Sequence, residues 1–243
     1  MNIAVIFAGG QGDRMRLYSR PKQFLEFRNK PVLVYTIERF QYHPEIDAII
    51  VACLKDWIPY IQEQLKKYQL TKVADVVTGG DTGQDSIYNG LEYASKHYPE
   101  DSVVLIHDGV RPLIKADAIS ECIKMTKEKG SCVTCVPSME TPVIKEADGS
   151  IMVLARAAVI TARAPQCFRL CDVLAVHQRA KEDGIHDFVD TCTMMHHYHQ
   201  PFHIIMGSFE NIKITRPADY FLFRAIEEAR EESEVFGTLR GEK

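Results

Sequence analysis

The chain has 243 residues, 46% of them hydrophobic and 26% charged, which suits one domain spanning 1–243 with a sizeable core. A formal net charge of -4 argues against a nucleic-acid-binding surface, and no run reaches the ~18 apolar residues of a membrane span. With no signal-peptide pattern at its start and seven scattered cysteines rather than an even disulfide framework, the chain is expected in the cytoplasm. Apolar runs of strand length come first: "NIAVIF" (2–7), "DAIIVACL" (47–54), "ADVVT" (74–78), "SVVLIH" (102–107) and "SCVTCVP" (131–137). Between them, 31–43, 57–69, 84–97 and 116–129 carry helical spacing, with Ile87, Leu91 and Ala94 on one face of the third. Repeated βαβ units predict an α/β fold, a mostly parallel twisted sheet flanked by helices. After Pro137 the rhythm breaks. Two short pieces, 142–145 and 151–154, flank an Asp148–Gly149 turn and predict an inserted hairpin. It is too small to hold a core, so it is expected to pack on another subunit. Strand pattern resumes at "FHIIM" (202–206) and "NIKIT" (211–215), and a charged helix over 216–236 closes the fold.

The stretch "AGGQGDRMRLYSRPKQFL" begins at Ala8, where the first strand ends. Ligands of parallel sheets gather beyond the carboxyl ends of strands. Gly9, Gly10 and Gly12 let the backbone approach a ligand and present N–H groups to an anion, and Arg14 and Lys22 add positive charge. A polyphosphate fits such a loop. The P-loop pattern is excluded because no Gly-Lys-Ser/Thr occurs, and the dinucleotide fingerprint because Met15 takes the third glycine position. On spacing alone, a turn with solvated arginines remains the alternative. Cys132 and Cys135 form a C-x-x-C inside an apolar run, which predicts buried thiols rather than a redox pair. The stretch "MMHHYHQPFH" (194–203) has metal-like histidine spacing, but Pro201 interrupts the helix and no carboxylate lies within it. It is expected to be a helix end and turn near the surface.

"AGGQGDRM" with "PKQFL" resembles the opening signature of the cytidylyltransferases that make CDP-activated polyols, those acting on methylerythritol phosphate and on ribitol 5-phosphate. The likeness continues through "GGDTGQDSIYNGL" (79–91), "LIHDGVRP" (105–112), "APQCF" (164–168) and "ENIKITRPADY" (210–220). The resemblance implies a Rossmann-like nucleotidyltransferase fold and an attack by a polyol-phosphate oxygen on the α-phosphorus of CTP, expelling pyrophosphate. Such a reaction needs positioning and cations and no covalent intermediate.

By the same resemblance Arg14, Lys22 and Lys213 serve catalysis at the phosphates. Ala8, Gly9, Gly10, Gly12, Gly79, Gly80 and Ser86 hold the nucleotide, the last three at the cytosine. Asp108, Arg111, Thr141 and Arg156 bind the polyol phosphate, with Asp108 also helping to hold Mg²⁺. The hairpin, 137–156, matches the family's dimer arm, which implies a homodimer. Residue by residue, plainer readings stand beside these: Asp108 as a turn former, Ser86 as a helix N-terminal residue, Lys213 as a solvent-facing lysine and Thr141 as a turn residue.

The chain departs from the family pattern where Gly83 replaces an arginine, Ala164 a hydroxyl residue and Ala155 an aspartate. Arg16 and Arg163 are the cations available to compensate. Gly9-Gly10, the valine of "HDGVRP", "KDWI" (55–58) and "VDTCTM" (189–194) resemble the ribitol-phosphate branch more. Ribitol 5-phosphate, destined for a surface polysaccharide, is the expected acceptor, with methylerythritol phosphate second. A CTP-binding homologue without turnover and a dehydrogenase are the competing readings.

Overall fold

The computed structural model describes residues 1–10 and 20–236. Gly12, Arg14 and Arg16 lie outside the described residues. In chain order the elements are β1 (Asn2–Ala8), α1 (Val32–Gln41), β2 (Ala48–Cys53), α2 (Ile58–Lys67), β3 (Val73–Thr78), α3 (Gly83–His97), β4 (Val103–Asp108) and α4 (Ala116–Lys129). There follow β5 (Ser131–Pro137), β6 (Val143–Lys145), β7 (Ile151–Val153) and β8 (Ile160–Arg169). The chain then forms α5 (Leu170–Glu182), α6 (Thr191–His197), β9 (Ile204–Met206) and α7 (Pro217–Phe236).

Seven strands make one sheet in the order β9-β5-β8-β4-β1-β2-β3. Neighbours run parallel except β8, which is antiparallel to both β4 and β5. Strand side chains alternate between faces, and β1 shows the consequence. Ile3 and Val5 pack with Ile87 and Leu91 of α3, whereas Ala4 and Ile6 pack with Leu33 and Ile37 of α1. Both faces are therefore covered by helices, and the strand reads as a continuous apolar run. Each buried Ile, Val or Leu there contributes about 1.5–3 kcal/mol by leaving water. A third cluster docks α7 through Phe223 onto Phe27, Val32, Tyr35 and Ile214.

Three features place the site. From β1 the chain builds β2 and β3 outward on one side, then returns to set β4 on the other. The crevice thus opens at the carboxyl ends of β1 and β4, the point where strand order reverses. There, the register pairs Phe7 with Asp108. Helix α3 starts beside it behind a capping box, in which Thr82 Oγ1 accepts from Asp85 N at 3.0 Å and Asp85 Oδ2 accepts from Thr82 N at 3.3 Å.

One expectation needs correction, and one strand was not expected. The stretch 211–215 is not a strand. Its backbone is engaged elsewhere: Asn211 O accepts from Arg111, Ile214 N donates to Val110 O, and β9 ends at Met206. The alternation of Ile212, Lys213 and Ile214 nevertheless survives, because Ile214 is fully buried while Lys213 turns to the cleft. Conversely, 160–169 forms the longest strand of the sheet, although its first half holds a single large apolar residue, Ile160. Pro165 and the register shift between Ala162 and Gln166 break the period-two pattern. The histidine-rich stretch ends α6 at His197 and turns at His199 (φ 56°), with His196, His197 and His199 exposed. Among the described residues no group of three or more His, Cys, Asp or Glu is placed to hold a metal. Cys132 and Cys135 are buried free thiols.

Candidate active site

The loop leaving β1 is held from behind. Gln23, 1% exposed, donates its amide to Ala8 O at 2.7 Å and to Gly10 O at 3.2 Å, so one side chain holds the backbone at both positions. Ser86, 0% exposed, accepts from Gly80 N at 3.0 Å and donates to Thr82 O at 2.9 Å. A Cβ at Gly9 would lie 2.5 Å from Ser86 Oγ, and one at Gly80 would lie 2.2 Å from Asp85 Cβ. Only glycine lets these two loops close on the helix start. Ser86 therefore shapes the backbone of Gly79 and Gly80 from beneath, with its one proton already committed to Thr82.

Ala8, Gly9, Gly10, Lys22, Asp108 and Lys213 line one cleft of about 460 Å³. The sequence expectations thus converge for these six positions. Adjoining this cleft through Phe7, Gly83, Asp108 and Lys213 is a second cavity of about 280 Å³, which adds Arg111, Arg163 and Ala164. Gly83, the first residue of α3, lines both, and a Cβ there would meet nothing nearer than Phe7 Cε2 at 4.0 Å. The space of a side chain is open there. Thr141 and Arg156 line neither cavity and are exposed around the β6–β7 hairpin, so within one chain they are not brought to the cleft.

The chemistry centres on Asp108 at the end of β4. Its Oδ2 accepts from Arg111 Nε at 2.7 Å and its Oδ1 from Lys213 Nζ at 2.6 Å, with the carboxylate side chain only 7% exposed. Burial alone would raise its pKa. The charges of Arg111 and Lys213 and their hydrogen bonds overcome that and hold the carboxyl far below the usual range. Asp108 is therefore an anion throughout the physiological range and an anchor for two cations. Beside it His107 is fully buried. Its Nε2 lies 3.1 Å from Arg111 O, which can only accept, so Nε2 carries the proton. Burial lowers its pKa to about 4, and it remains neutral. His107 braces the Asp108–Arg111 turn, as expected of a structural residue.

Several site residues escaped the sequence reading. Gln23 lay in view within "PKQFL", but a buried glutamine has no spacing signal. Gln84 donates to Ile185 O at 2.9 Å and accepts from Phe188 N at 3.2 Å, while Gln166 donates to Asp190 Oδ2 at 3.0 Å and accepts from Cys192 N at 2.8 Å. These two glutamines hold segment 185–192 as a wall of the second cavity. His177 lines its far end with neither ring nitrogen bonded, and burial lowers its pKa to about 3.

A cleft at the strand-order reversal, floored by a glycine loop and carrying lysine and arginine cations about one carboxylate, is suited to a phosphorylated substrate pair. Comparison with known proteins agrees. The family model described as "IspD: 2-C-methyl-D-erythritol 4-phosphate cytidylyltransferase" matches residues 2–228. A ribitol-5-phosphate cytidylyltransferase of Streptococcus agalactiae serotype III is 47% identical over 238 residues, covering 98% of this chain and 100% of the relative. A 2-C-methyl-D-erythritol 4-phosphate cytidylyltransferase of Clostridium botulinum is 36% identical over 222 residues, covering 91% of this chain and 95% of the relative. The crystal structure of 4-diphosphocytidyl-2C-methyl-D-erythritol synthase from Anaerococcus prevotii superposes with a TM-score of 0.80 at 26% identity, over 93% of this chain and 96% of that one. The chain belongs to this cytidylyltransferase family and is a nucleotidyltransferase.

Proposed function

We propose that the chain transfers CMP from CTP to D-ribitol 5-phosphate, giving CDP-ribitol and pyrophosphate. The observation that carries the acceptor is the near-full-length likeness, at 47%, to an enzyme named for ribitol 5-phosphate, against 36% to one named for methylerythritol phosphate. In the reaction a phosphate oxygen of the polyol phosphate bonds to the α-phosphorus of CTP. The bond from that phosphorus to the bridging oxygen breaks, and the electron pair leaves with pyrophosphate.

Two anions must meet while charge spreads over the equatorial oxygens, so fixed cations lower the barrier. Lys213, anchored on Asp108 at 2.6 Å, faces the junction of the two cavities and is assigned to the α-phosphate. Lys22, beside Gly10, is assigned with Arg14 to the triphosphate. The floor formed by Ala8, Gly9 and Gly10, with Gly79 and Gly80 set by Ser86, suits a narrow pyrimidine pocket. Arg111 is assigned to the acceptor phosphate.

Among the described residues, Asp81 and Asp108 are the carboxylates lining the nucleotide-side cleft. Because Arg111 and Lys213 already hold both oxygens of Asp108, Mg²⁺ would be held mostly by substrate phosphates and through few carboxylates, Asp108 among them. When bound, Mg²⁺ neutralises charge on the departing pyrophosphate.

The β6–β7 hairpin supports the homodimer. All six of its ladder residues are exposed, including Val143 (58%), Ile151 (67%) and Val153 (65%), and three-residue strands do not hold together alone. Packing on a second copy covers this face and gives Thr141 and Arg156 a route to the partner's cleft. The reading is tested by incubating the enzyme with CTP, Mg²⁺ and ribitol 5-phosphate and following phosphorus resonances. CDP-ribitol appears as a coupled pair of diphosphate signals. CMP alone, or unchanged CTP, would overturn the reading.

A further inference from the structure

Arg111 and Arg163 meet at one backbone oxygen. Arg111 Nη1 donates to Asn211 O at 2.9 Å, and Arg163 Nη1 donates to the same oxygen at 3.1 Å and to Phe209 O at 3.3 Å. The two guanidiniums are thus held side by side on opposite strands of the cavity, one after β4 and the other within β8. Carboxylates beside them are fewer than the cations. Asp108 is shared between Arg111 and Lys213, and among the described residues no carboxylate lies within ion-pair distance of Arg163. Asp190, the other carboxylate of this cavity, spends Oδ1 capping α6 at Thr193 and Oδ2 accepting from Gln166. Burial first, and then the neighbouring Arg111, lower the pKa of Arg163. Two partly desolvated like charges held together by carbonyl dipoles form an arrangement that a doubly charged anion relieves.

We infer that Arg163 is a second guanidinium for the acceptor's phosphate, binding the phosphomonoester dianion together with Arg111 and setting affinity for polyol phosphate rather than for CTP. The small residues around it leave room: Ala162, Ala164 and Gly83 line the same cavity. A phosphate monoester carries nearly two charges at neutral pH and offers oxygens spaced for the planar guanidinium fork. Arg163 does not line the glycine-loop cleft, whereas Lys22 does, so the nucleotide phosphates and the acceptor phosphate are served by different cations. Arg163 also stands directly before Ala164, where the family pattern has a hydroxyl.

This inference rests on the proposed cytidylyl transfer to a polyol phosphate. Arg163→Gln keeps a donor for the carbonyls and removes the charge, and Arg163→Lys keeps the charge and removes the fork. Initial rates are measured with CTP and ribitol 5-phosphate varied separately. Calorimetry with inorganic phosphate is run on wild type and both variants, and their melting temperatures are compared. For Arg163→Gln the expected result is a KM for ribitol 5-phosphate raised about tenfold or more, a KM for CTP within about twofold, and a weakened phosphate isotherm. Arg163→Lys falls between. An unchanged acceptor KM, or a KM for CTP that rises equally, overturns the inference. If wild type turns over no polyol phosphate, the proposed function fails by itself. The phosphate isotherm still decides the role of Arg163: equal binding in wild type and Arg163→Gln overturns it. Should Arg163→Gln melt early, the acceptor-to-CTP KM ratio of Arg163→Lys makes the same decision.

Discussion

Lys213 Nζ lies 2.6 Å from Asp108 Oδ1, although 105 residues (213 − 108) separate them along the chain. The contact ties an irregular segment to the end of β4 and aims a cation into the junction of the two cavities. Because Arg111 remains on the other oxygen of Asp108, Lys213→Ala leaves the carboxylate with a partner. Its expected effect is on rate: kcat lower by about 100-fold or more, as for removal of one transition-state donor, with a melting temperature close to wild type. Asp108→Ala differs, since it strands two cations beside one another and is expected to cost about 3–5 kcal/mol of stability. Rapid-quench single turnovers and denaturant titrations separate the two. A Lys213→Ala enzyme with unaltered kcat would remove the lysine from the chemistry.

Two buried histidines set the acid limb of stability. Burial depresses His107 to about 4 and His177 to about 3, while both titrate near 6.5 in an unfolded chain. The folded chain therefore binds fewer protons than the unfolded one between those values. Stability is complete above about pH 6.5 and is lost as pH falls toward 4. Each histidine costs about 1.4 kcal/mol per pH unit in that window, or about 3–4 kcal/mol together at pH 5. Asp108, whose pKa is depressed, withdraws its contribution only as pH falls below about 3.8. Urea midpoints measured from pH 7.5 to 5 should fall in wild type and fall less steeply in His177→Gln. Parallel slopes would show that His177 does not carry the effect.

Gly9 and Gly83 line the same cleft and predict opposite outcomes. At Gly9 a methyl group meets Ser86 Oγ at 2.5 Å, and that hydroxyl is bonded on both sides, so Gly9→Ala displaces the loop. The KM for CTP should rise about tenfold. At Gly83 the space is open, so Gly83→Arg folds normally, at a cost of about 0.3–1 kcal/mol for a cation at a helix N-terminus. It should lower the KM for CTP several-fold. No response to CTP in either variant would mean that the nucleotide lies elsewhere.

The exposed hairpin predicts a dimer. Ile151→Lys with Val153→Lys places charges on its apolar face, where the two residues are 67% and 65% exposed in the single chain. Sedimentation velocity at micromolar concentration should show a dimer for wild type and a monomer for the double variant, with polyol-phosphate turnover reduced in parallel. A monomeric wild type contradicts the role given to the arm.

Strands β1, β2, β4 and β5 were legible because burial on both faces writes unbroken apolar runs, as in Ala48–Cys53, and edge strand β3 by its short valine-rich run. Ala8, Gly9, Gly10 and Asp108 were legible because their motifs sit at the ends of β1 and β4, whereas the roles of Lys22 and Lys213 were read from the family resemblance. β8 was not, since its irregularity at Ala162–Gln166 breaks the regular pairing, and α5 followed it out of view, while of α6 only the end in the histidine-rich stretch was read. Arg163 was visible only as a spare cation. Its pairing with Arg111 depends on Asn211, 48 residues away (211 − 163), and no local pattern encodes a shared carbonyl. Gln23, Gln84 and Gln166 share that invisibility: they act by reaching backbone atoms of distant segments.

The central claim is tested most directly by pyrophosphate release from CTP and Mg²⁺ with ribitol 5-phosphate and with 2-C-methyl-D-erythritol 4-phosphate as separate acceptors, beside a Lys22→Ala control. The expected result is a kcat/KM for ribitol 5-phosphate at least about tenfold above the other, abolished in the control. Equal or greater turnover of methylerythritol phosphate, or turnover that survives in the control, would contradict the account.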